Sequence, residues 1–323
     1  MEELFSSPDI SDFPLSLHLA MIQDDVRMKA FSQALRQSIT PQSIVIDIGT
    51  GTGILAFLAA RYGARKVIGL DRGGLIREAR RIKALNFADA PVTFHTKDVI
   101  CDELPRAKAD VLVCELLGNF GIDENVVEVL IRARTEMLKH GGVMIPRDLR
   151  LMMAPVQCTK AYRGAVSWQK KQWDIDFSPL QERAYNTVYQ TSGEEVQLLA
   201  APVVLAAIDF TTIEGPITVS RVSITFRRAG KLHGLSGWFR STLGDDIVLD
   251  SGPDTVQTHW GQVFFPIGEP LSVKRGGRLE VEFKERLAGD EIRWSWSGEI
   301  TPAEGAQAVL FNYRAIREFP GYL

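Results

Sequence analysis

The stretch Ile44-Val-Ile-Asp-Ile-Gly-Thr-Gly-Thr-Gly53 joins an apolar run to a glycine-rich turn, and a segment rich in alanine and leucine follows from Leu55 to Tyr62. A short apolar run bounded by turn residues is typical of a buried strand, and the segment after it favours a helix. Glycines at such a junction let a ligand come close to the backbone at the helix N-terminus. The stretch therefore predicts the opening strand, turn and helix of a nucleotide-binding α/β domain.

The first half of the chain alternates between helical and strand-like segments. Helices are predicted over 15–37, ahead of this first strand, and later over 75–86 and 124–139. Further buried strands are predicted at four places, namely Lys66–Asp71, Val92–His95, Val111–Cys114 and the segment His140–Pro146. This alternation predicts a parallel sheet with right-handed crossovers.

After Pro146 the hydrophobic pattern changes to a period of two. Apolar and polar residues alternate in several runs that turn signals separate, including 222–226, 279–283 and 292–296. The pattern predicts an antiparallel region, either a barrel or a sandwich. We therefore predict two domains, 1–146 and 147–323. The segment 168–192, rich in Gln, Trp, Tyr and Phe, is predicted as a helical excursion from the second domain.

Composition narrows the class of protein. The 323 residues carry a net charge of −3, and no basic block stands out, which disfavours a nucleic-acid-binding protein. The three cysteines lack metal-ligand spacing, so we predict no metal site and a reducing compartment. The acidic start lacks the pattern of a signal peptide, and no apolar run could cross a bilayer. We therefore predict a cytoplasmic protein without membrane association.

The glycine-rich turn indicates the kind of cofactor. Gly49, Gly51 and Gly53 follow Asp47 at every second position, which differs from the Gly-x-Gly-x-x-Gly/Ala turn of dinucleotide-binding folds. Asp71 ends the next strand, where a carboxylate accepts hydrogen bonds from ribose hydroxyls. The set favours a nucleoside-bearing cofactor, and S-adenosylmethionine is the commonest ligand of this pattern. An NAD-binding fold with a variant turn is the alternative.

Three further residues are candidates for cofactor contacts. Asp98 and Val99 follow the third strand and could meet an adenine ring, although a solvated acidic loop is the alternative interpretation. Arg27 lies on the first predicted helix and could hold the carboxylate of the cofactor's methionine part through two hydrogen bonds. Taken alone, Arg27 would be interpreted as a surface residue of that helix.

Two carboxylates bracket the segment Glu115-Leu-Leu-Gly-Asn-Phe-Gly-Ile-Asp-Glu124, hereafter the glutamate loop, just beyond the fourth strand. Carboxylates at the end of such a strand face the ligand crevice, and two of them on one loop would bind a cation. The planar guanidinium, with its fork of N–H donors, suits two carboxylates best. Taken singly, Glu115 would be a strand-end surface acid and Glu124 an acid that stabilises a helix N-terminus.

These residues resemble those of the protein arginine methyltransferase family, which is a class I, S-adenosylmethionine-dependent group of enzymes. The motifs that carry the resemblance stand in the family's order, from a cofactor-covering helix to a Thr-His-Trp loop. They are His18–Arg27, Val45–Leu55, Lys66–Asp71, the pair Glu115 and Glu124, and Thr258-His-Trp260. The resemblance covers the chain from about residue 15 to the C-terminus.

The resemblance implies a fold and an assembly. The expected fold is α/β, with a Rossmann-like parallel-sheet methyltransferase domain followed by an antiparallel β-barrel into which a helical arm is inserted. The segment 168–192 is the candidate dimerisation arm. Because the arm docks on a second subunit in this family, a homodimer is implied. The alternative is that 168–192 is an ordinary insertion of the barrel.

The resemblance also implies roles for individual residues. S-adenosylmethionine would be bound by residues of the first helix and of three strand ends, namely His18, Met21, Arg27, Asp47, Gly49, Gly51, Gly53, Asp71, Asp98 and Val99. Glu115 and Glu124 would bind and orient the substrate guanidinium, and Trp260 would form a wall of its pocket. His259 could pair with Asp24 and relay a proton, or the pair could be a structural bond between domains.

The activity implied is N-methylation of the terminal guanidino nitrogens of arginine in a protein or peptide. Alternatives are a free L-arginine or other small guanidino substrate, and a non-catalytic cofactor-binding regulator. The chain lacks the family's Tyr-Phe-x-x-Tyr stretch, where Ile10–Pro14 stands, and carries Asn119 and Asp123 where many relatives have aromatic residues. The Glu-Leu-Leu-Gly start at Glu115 favours the symmetric-dimethylating branch and Met21 the asymmetric one, so the product stays open.

Overall fold

The computed structural model describes the protein over residues 14–191, 196–217, 221–288, 291–301 and 309–315. The stretch 10–13, where the sequence departs from the family ahead of the first helix, lies outside the described residues, as does Ser192 at the end of the candidate arm. A parallel sheet is formed by the first half of the chain and two antiparallel sheets by the second half. The predicted order, a parallel-sheet α/β unit followed by an antiparallel region, is confirmed.

The parallel sheet has five strands in the order β3-β2-β1-β4-β5. Its central strands β1 and β4 are almost wholly buried, which explains why they are continuous apolar runs in the sequence. The elements of this half are, in chain order, α1 (Leu15–Gln23), α2 (Asp25–Ser38), β1 (Ile44–Ile48), α3 (Ile54–Arg61), β2 (Lys66–Asp71), α4 (Ile76–Asn86), β3 (Val92–Thr96), β4 (Ala109–Cys114), α5 (Val126–Met137) and β5 (Leu138–Ile145).

The single helix predicted over 15–37 is wrong, because the structure contains two helices that meet at Asp24. The backbone of Asp24 is extended, and its side-chain Oδ1 accepts a hydrogen bond from the backbone N–H of Arg27 at 2.9 Å. An aspartate in this geometry is an N-cap, which satisfies one of the free N–H groups at the start of α2. The apolar spacing continues through the break and therefore did not reveal it.

The second half begins with β6, whose first residue, Asp148, lies two positions after the cis-proline Pro146. One antiparallel sheet runs in the order β7-β13-β11-β6-β8, with β12 on β11 and β9 on β6, and the other in the order β10-β14-β15-β16. The elements are β6 (Asp148–Gln157), α6 (Thr159–Val166), α7 (Gln181–Tyr185), β7 (Tyr189–Thr191), β8 (Gln197–Leu198), β9 (Val203–Asp209), β10 (Arg221–Thr225), β11 (Gly230–Gly244), β12 (Ile247–Asp250), β13 (Gln262–Val273), β14 (Arg278–Ala288), β15 (Glu291–Thr301) and β16 (Val309–Arg314).

The described strands do not close into the expected barrel. The strands β10, β14, β15 and β16 pair with one another, and no described strand joins their sheet to the seven-stranded one. The sheets instead pack through aromatic side chains, with the ring of Phe265 on β13 lying 5.0 Å from Phe283 and 5.2 Å from Trp296. Because these rings fill the space between the two sheets, the second half is the two-sheet alternative that the period-two pattern allowed.

The segment proposed from sequence as an arm contains little regular structure. It holds two short 3-10 turns (Ser167–Gln169 and Ser178–Leu180) and ends in α7 and β7. The parallel sheet ends at Ile145 and the antiparallel part begins at Asp148, while the division into domains 1–146 and 147–323 stays a prediction. Among the described residues, no helix has both the length and the apolar character that a membrane-spanning helix needs.

Candidate active site

The candidate site lies at the carboxyl edge of the parallel sheet. β1 pairs with β2 on one side and with β4 on the other, so the chain order reverses at β1. In an open α/β sheet this reversal leaves a crevice outside the strand ends. The glycine turn follows β1, Asp71 ends β2, and Glu115 follows β4. The topology therefore brings three of the sequence-predicted positions to one edge.

The glycine turn is built for close backbone approach. Gly49, Gly51 and Gly53 have φ values of 68°, 50° and 87°, a region that residues with a side chain rarely adopt. A Cβ atom on Gly51 would lie 3.5 Å from the ring of His18, in the space between the turn and α1. That distance is an ordinary van der Waals contact, so the positive φ values rather than lack of space favour glycine here. The turn and α1 face each other across a cradle in which the glycine backbone is open to a bound nucleoside-bearing cofactor.

The two aspartates of the cradle differ in their surroundings. Asp71 is half-buried and accepts hydrogen bonds from the backbone N–H groups of Gly51 and Gly73, both at 2.7 Å. Its carboxylate keeps lone pairs for further donors such as ribose hydroxyls. Asp47 is buried, and its Oδ2 accepts from Thr50 Oγ1 at 2.6 Å and from the N–H of Ala56 at 3.1 Å. Burial raises the pKa of Asp47 to about 7, although the two hydrogen bonds act to lower it.

Arg27 is an internal residue of the site. Its Nε and Nη2 atoms donate to Glu115 Oε2 at 2.8 and 2.6 Å, and its Nη1 donates to the carbonyl oxygen of Met21 at 3.1 Å. The side chains of Arg27 and Glu115 are 6% and 5% exposed, so the interpretation of Arg27 as a surface helix residue is wrong. Arg27 on α2 is thus joined to Met21 of α1 by a hydrogen bond and to the start of the glutamate loop by an ion pair.

Glu124 lies in a different environment from Glu115. Glu124 is half-buried, and its carboxylate accepts no hydrogen bond from any residue in the described part of the chain. Burial raises the pKa of Glu124 to about 8, and the nearby carboxylates of Glu115 and Asp123 add to the rise while Arg72 opposes it. One glutamate is therefore paired with a fixed cation, and the other is available to a mobile one.

His259 and Asp24 form the pair that the family resemblance implied. Asp24 Oδ2 lies 2.8 Å from His259 Nδ1 and accepts the backbone N–H of His259 at 2.9 Å. Burial favours a higher pKa for Asp24, but the hydrogen bonds from His259 and Arg27 outweigh it and hold the pKa below its ordinary value. The pair fastens the loop before β13 to the junction of α1 and α2, directly beside Arg27.

We expect Asp24→Ala to lower the free energy of unfolding by about 2–4 kcal/mol, because it removes the cap of α2 and the buried partner of His259. Urea unfolding at pH 7 would measure the change. Because the pKa of folded Asp24 is lowered, its contribution is present above about pH 4 and is lost as the pH falls through the folded-state pKa. Asp25→Ala is the matched control, since Asp25 pairs with Lys29 at the surface and should contribute nothing measurable. Equal losses in both variants would contradict the role of the pair.

The remaining predicted residues flank the crevice. Trp260 is buried, and its indole Nε1 donates to the carbonyl oxygen of Leu117 at 2.6 Å. Because Leu117 belongs to the glutamate loop, Trp260 helps to hold the loop in place. Val99 is buried, and Asp98 is half-buried with its Oδ2 3.8 Å from Arg72 Nη1. The adenine contacts expected of Asp98 and Val99 stay predictions.

Several contacts that shape the site had no signal in the sequence. Gly49 lies so close to Leu116 that a Cβ atom would come within 2.5 Å of the leucine side chain. On the far side of the glutamate loop, Trp294 of β15 donates its indole N–H to Asp123 Oδ1 at 3.0 Å. The only sequence clue to the second contact was that Asp123 departs from the family pattern.

Comparison with known proteins identifies both halves of the chain. Residues 30–147 match the family described as ribosomal protein L11 methyltransferase (PrmA), and residues 150–293 match the arginine methyltransferase oligomerization subdomain. Probable protein arginine N-methyltransferase 6.1 of Oryza sativa subsp. japonica is 27% identical, over 93% of this chain and 85% of that relative. Protein arginine N-methyltransferase 1 of Schizosaccharomyces pombe is also 27% identical, over 91% of this chain and 84% of that relative.

Solved structures of the same kind share the fold over both halves. Arabidopsis thaliana protein arginine methyltransferase 10, in a uniquely open conformation, has a TM-score of 0.78 and 26% identity, over 92% of this chain and 96% of that chain. The Trypanosoma brucei enzyme–prozyme heterotetrameric complex with AdoHcy has a TM-score of 0.83 at 24% identity, over 94% of this chain and 99% of that chain, and so has the same fold. The similarities run through both halves, and together they support a member of the family of S-adenosylmethionine-dependent protein arginine N-methyltransferases.

Proposed function

We propose that the protein transfers a methyl group from S-adenosylmethionine to a terminal guanidino nitrogen of arginine in a protein or peptide. One observation carries the proposal. The two ends of the glutamate loop bring Glu115 and Glu124 to the carboxyl edge of the sheet beside the glycine cradle, and Glu124 lacks a hydrogen-bond donor among the described residues. A half-buried carboxylate without a donor is a site for a cation, and a guanidinium supplies both charge and N–H donors.

For the cofactor, we assign the cradle and its neighbours as the binding residues. Asp71 would accept the ribose hydroxyls, Asp98 and Val99 would meet the adenine, and the turn after Asp47 would approach the ligand through its backbone. His18, Met21 and Arg27 would cover the methionine part. The guanidinium of Arg27 makes four hydrogen bonds to described atoms with its five N–H groups, so it retains a donor for a carboxylate.

The chemical problem is the guanidinium, which is cationic at neutral pH and a poor nucleophile. When bound, S-adenosylmethionine supplies an electrophilic methyl group on a sulfonium. Glu115 and Glu124 would grip the guanidinium, aim one nitrogen at that methyl group and concentrate positive charge on the other nitrogens. Glu124, once ionised and paired with the guanidinium, would accept the proton that a nitrogen loses as it is methylated, and His259 with Asp24 would offer a second route for the proton.

The proposal is tested with labelled S-adenosylmethionine and a substrate panel. Arginine-rich peptides, free L-arginine and a lysine-rich peptide of equal charge would be incubated with the enzyme, and the products identified by mass spectrometry. We expect methylarginine from the peptides and no methylation of the lysine peptide. If only free arginine is methylated, the substrate is a small guanidino compound and the proposal of a protein or peptide substrate is wrong. Cofactor binding without turnover of any guanidino compound would leave a non-catalytic regulator and overturn the proposal.

We further propose a homodimer formed through the candidate arm, with the cytoplasmic location remaining a prediction from sequence. Trp173 is 95% exposed and Ile175 is 56% exposed, within a segment of the part that matches an oligomerization subdomain. Large apolar side chains exposed together are typical of a contact surface.

We expect Trp173→Ser to shift the sedimentation coefficient to that of a monomer. Leu310→Ser, a change of another exposed apolar residue on β16, should leave the wild-type assembly intact, and an unchanged dimer in Trp173→Ser would exclude the arm.

A further inference from the structure

The glutamate loop is folded around the side chain of Asp123. The Oδ2 atom of Asp123 accepts the backbone N–H of Phe120 at 2.6 Å, and Gly121 donates its N–H to the carbonyl oxygen of Gly118 at 2.8 Å. A Cβ atom on Gly118 would lie 2.6 Å from the Cβ of Asp123, so the aspartate packs directly against the glycine backbone. The carboxylate of Asp123 therefore closes the loop that carries Glu124 as its next residue.

The other oxygen of Asp123 is held from outside the loop. Trp294 on β15 is buried, and its indole Nε1 donates to Asp123 Oδ1 at 3.0 Å. The backbone N–H of Ile292, on the same strand, donates to the carbonyl oxygen of Asp123 at 3.4 Å. The Trp294 ring also lies 4.9 Å from the ring of Phe120, which is fully buried. One strand of the second half thus fixes both the side chain and the backbone of Asp123.

An ionisable residue at this position does two things. Both of its carboxylate oxygens accept an N–H donor, which an amide with one acceptor oxygen cannot do, and burial raises the pKa of Asp123, so the charge is held at a desolvation cost. The aspartate also adds a negative charge next to Glu124. The charged groups that act on Glu124 are the carboxylates of Glu115, Asp123 and Asp71, opposed by Arg72. Asp123 therefore disfavours ionised Glu124 until a cation arrives.

We propose that Asp123, held by the Trp294 indole, is a positioning residue that fixes Glu124 and reserves its carboxylate for a cationic substrate. This inference rests on the proposed function, because it assigns the loop geometry to guanidinium binding. In this proposal β15 supports catalysis indirectly, because Trp294 on this strand holds Asp123 and Asp123 positions Glu124. The orientation of Glu124 then depends on how the four-stranded sheet sits against the parallel-sheet half.

The test compares two variants of the clamp with a matched control on the same strand. Trp294→Phe keeps the aromatic ring on Phe120 and removes the N–H donor, and we expect kcat to fall about 10- to 100-fold because small displacements of a catalytic group have effects of this size. Trp296→Phe is the control, since Trp296 is fully buried and donates its indole N–H to Pro266 at 3.0 Å, away from the loop. Its kcat should stay at the wild-type value.

Asp123→Asn removes the negative charge and also replaces one acceptor oxygen by an NH2 donor, so it is compared with Trp294→Phe, which weakens the same contact but keeps the charge. The acidic limb of the kcat/KM profile should move to lower pH in Asp123→Asn, because Glu124 then ionises more readily. The shift should be smaller in Trp294→Phe, which leaves the carboxylate beside Glu124 in place. The inference is overturned if the limb does not move, if Trp294→Phe keeps the wild-type kcat, or if Trp296→Phe loses as much activity as Trp294→Phe.

A readout without turnover separates this inference from the proposed function. The chain has six tryptophans, so the indole N–H signals in a nitrogen-15 NMR spectrum can be assigned by substitution. We expect the Trp294 signal to shift in Asp123→Asn while the Trp296 signal stays in place. If the wild type methylates no guanidino compound but the signal shifts, the proposed function fails and the clamp stands. If the wild type is active and the signal does not shift, the clamp fails alone.

Discussion

Glu115→Gln is expected to lower kcat by about two to three orders of magnitude, the usual loss when one pre-organised electrostatic group is removed from an active site. The neutral amide cannot attract the guanidinium, and it cannot draw positive charge away from the attacking nitrogen. The effect should appear mainly in kcat, because Glu124 and the rest of the substrate still supply binding. Steady-state kinetics with labelled cofactor and an arginine-rich peptide would measure it.

Glu115→Gln also affects Arg27, so the loss of kcat has to be distinguished from an effect of the unpaired arginine on folding or on cofactor binding. Arg27 donates two hydrogen bonds to Glu115 Oε2, and a glutamine at this position still offers an oxygen acceptor while leaving a buried guanidinium without its counter-charge. Thermal unfolding would show whether the fold survives, and titration calorimetry would follow cofactor binding. Glu128→Gln, an exposed change on α5, is the matched control and should be neutral. Wild-type turnover in Glu115→Gln would remove Glu115 from the mechanism.

The second large effect concerns the protonation of Glu124. Because its pKa in the free protein is raised to about 8, Glu124 is mostly protonated at neutral pH and binds a cation only after losing its proton. We expect kcat/KM to rise about tenfold per pH unit below this pKa and to level off above it. Glu124→Gln should lose turnover at every pH. A wild-type profile that is flat from pH 6 to 9 would contradict the assignment.

The raised pKa of Glu124 also predicts how stability depends on pH. The folded protein holds the proton up to about pH 8, whereas the unfolded chain releases it near its ordinary pKa of 4.5. Between these values the folded state binds more protons, so the free energy of unfolding falls as the pH rises. Glu124→Gln removes the share of this fall that Glu124 contributes, while Asp47 keeps its own, so the melting temperature of the variant should exceed that of the wild type at pH 8.5 but match it at pH 4. If the melting temperatures of the wild type and of Glu124→Gln fall equally between pH 4 and 8.5, a group other than Glu124 causes the fall.

The parallel sheet and its glycine turn were predictable because their determinants are local. An apolar run of five residues, three glycines and a following helix lie within about twenty positions, and each element forms by the periodicity of its own side chains. The break at Asp24 was missed for the same reason, since the apolar spacing of α1 continues into α2. What interrupts the helix is a carboxylate that caps α2 and at the same time accepts two hydrogen bonds from His259.

The contacts that turn candidate residues into a site are distant in sequence. Arg27 and Glu115 are 88 positions apart, Asp123 and Trp294 are 171 apart, and Asp24 and His259 are 235 apart. No local pattern encodes such pairs, and the last one was implied only by the resemblance to a family. That the second half forms two packed sheets and not a barrel was likewise not encoded locally, because the aromatic side chains between the sheets come from β13, β14 and β15.

The sequence by itself determined the order of parallel and antiparallel regions, the cradle at Gly49–Gly53 and the two glutamates of the loop, since each rests on spacing along the chain. Only the tertiary structure decided that the glutamates are unlike each other. Arg27 neutralises Glu115, whereas Glu124 is left among carboxylates with Asp123 fixed beside it by Trp294. The physical reason is that protonation and orientation depend on the charges and dielectric around a group, which are set by residues that only folding brings together.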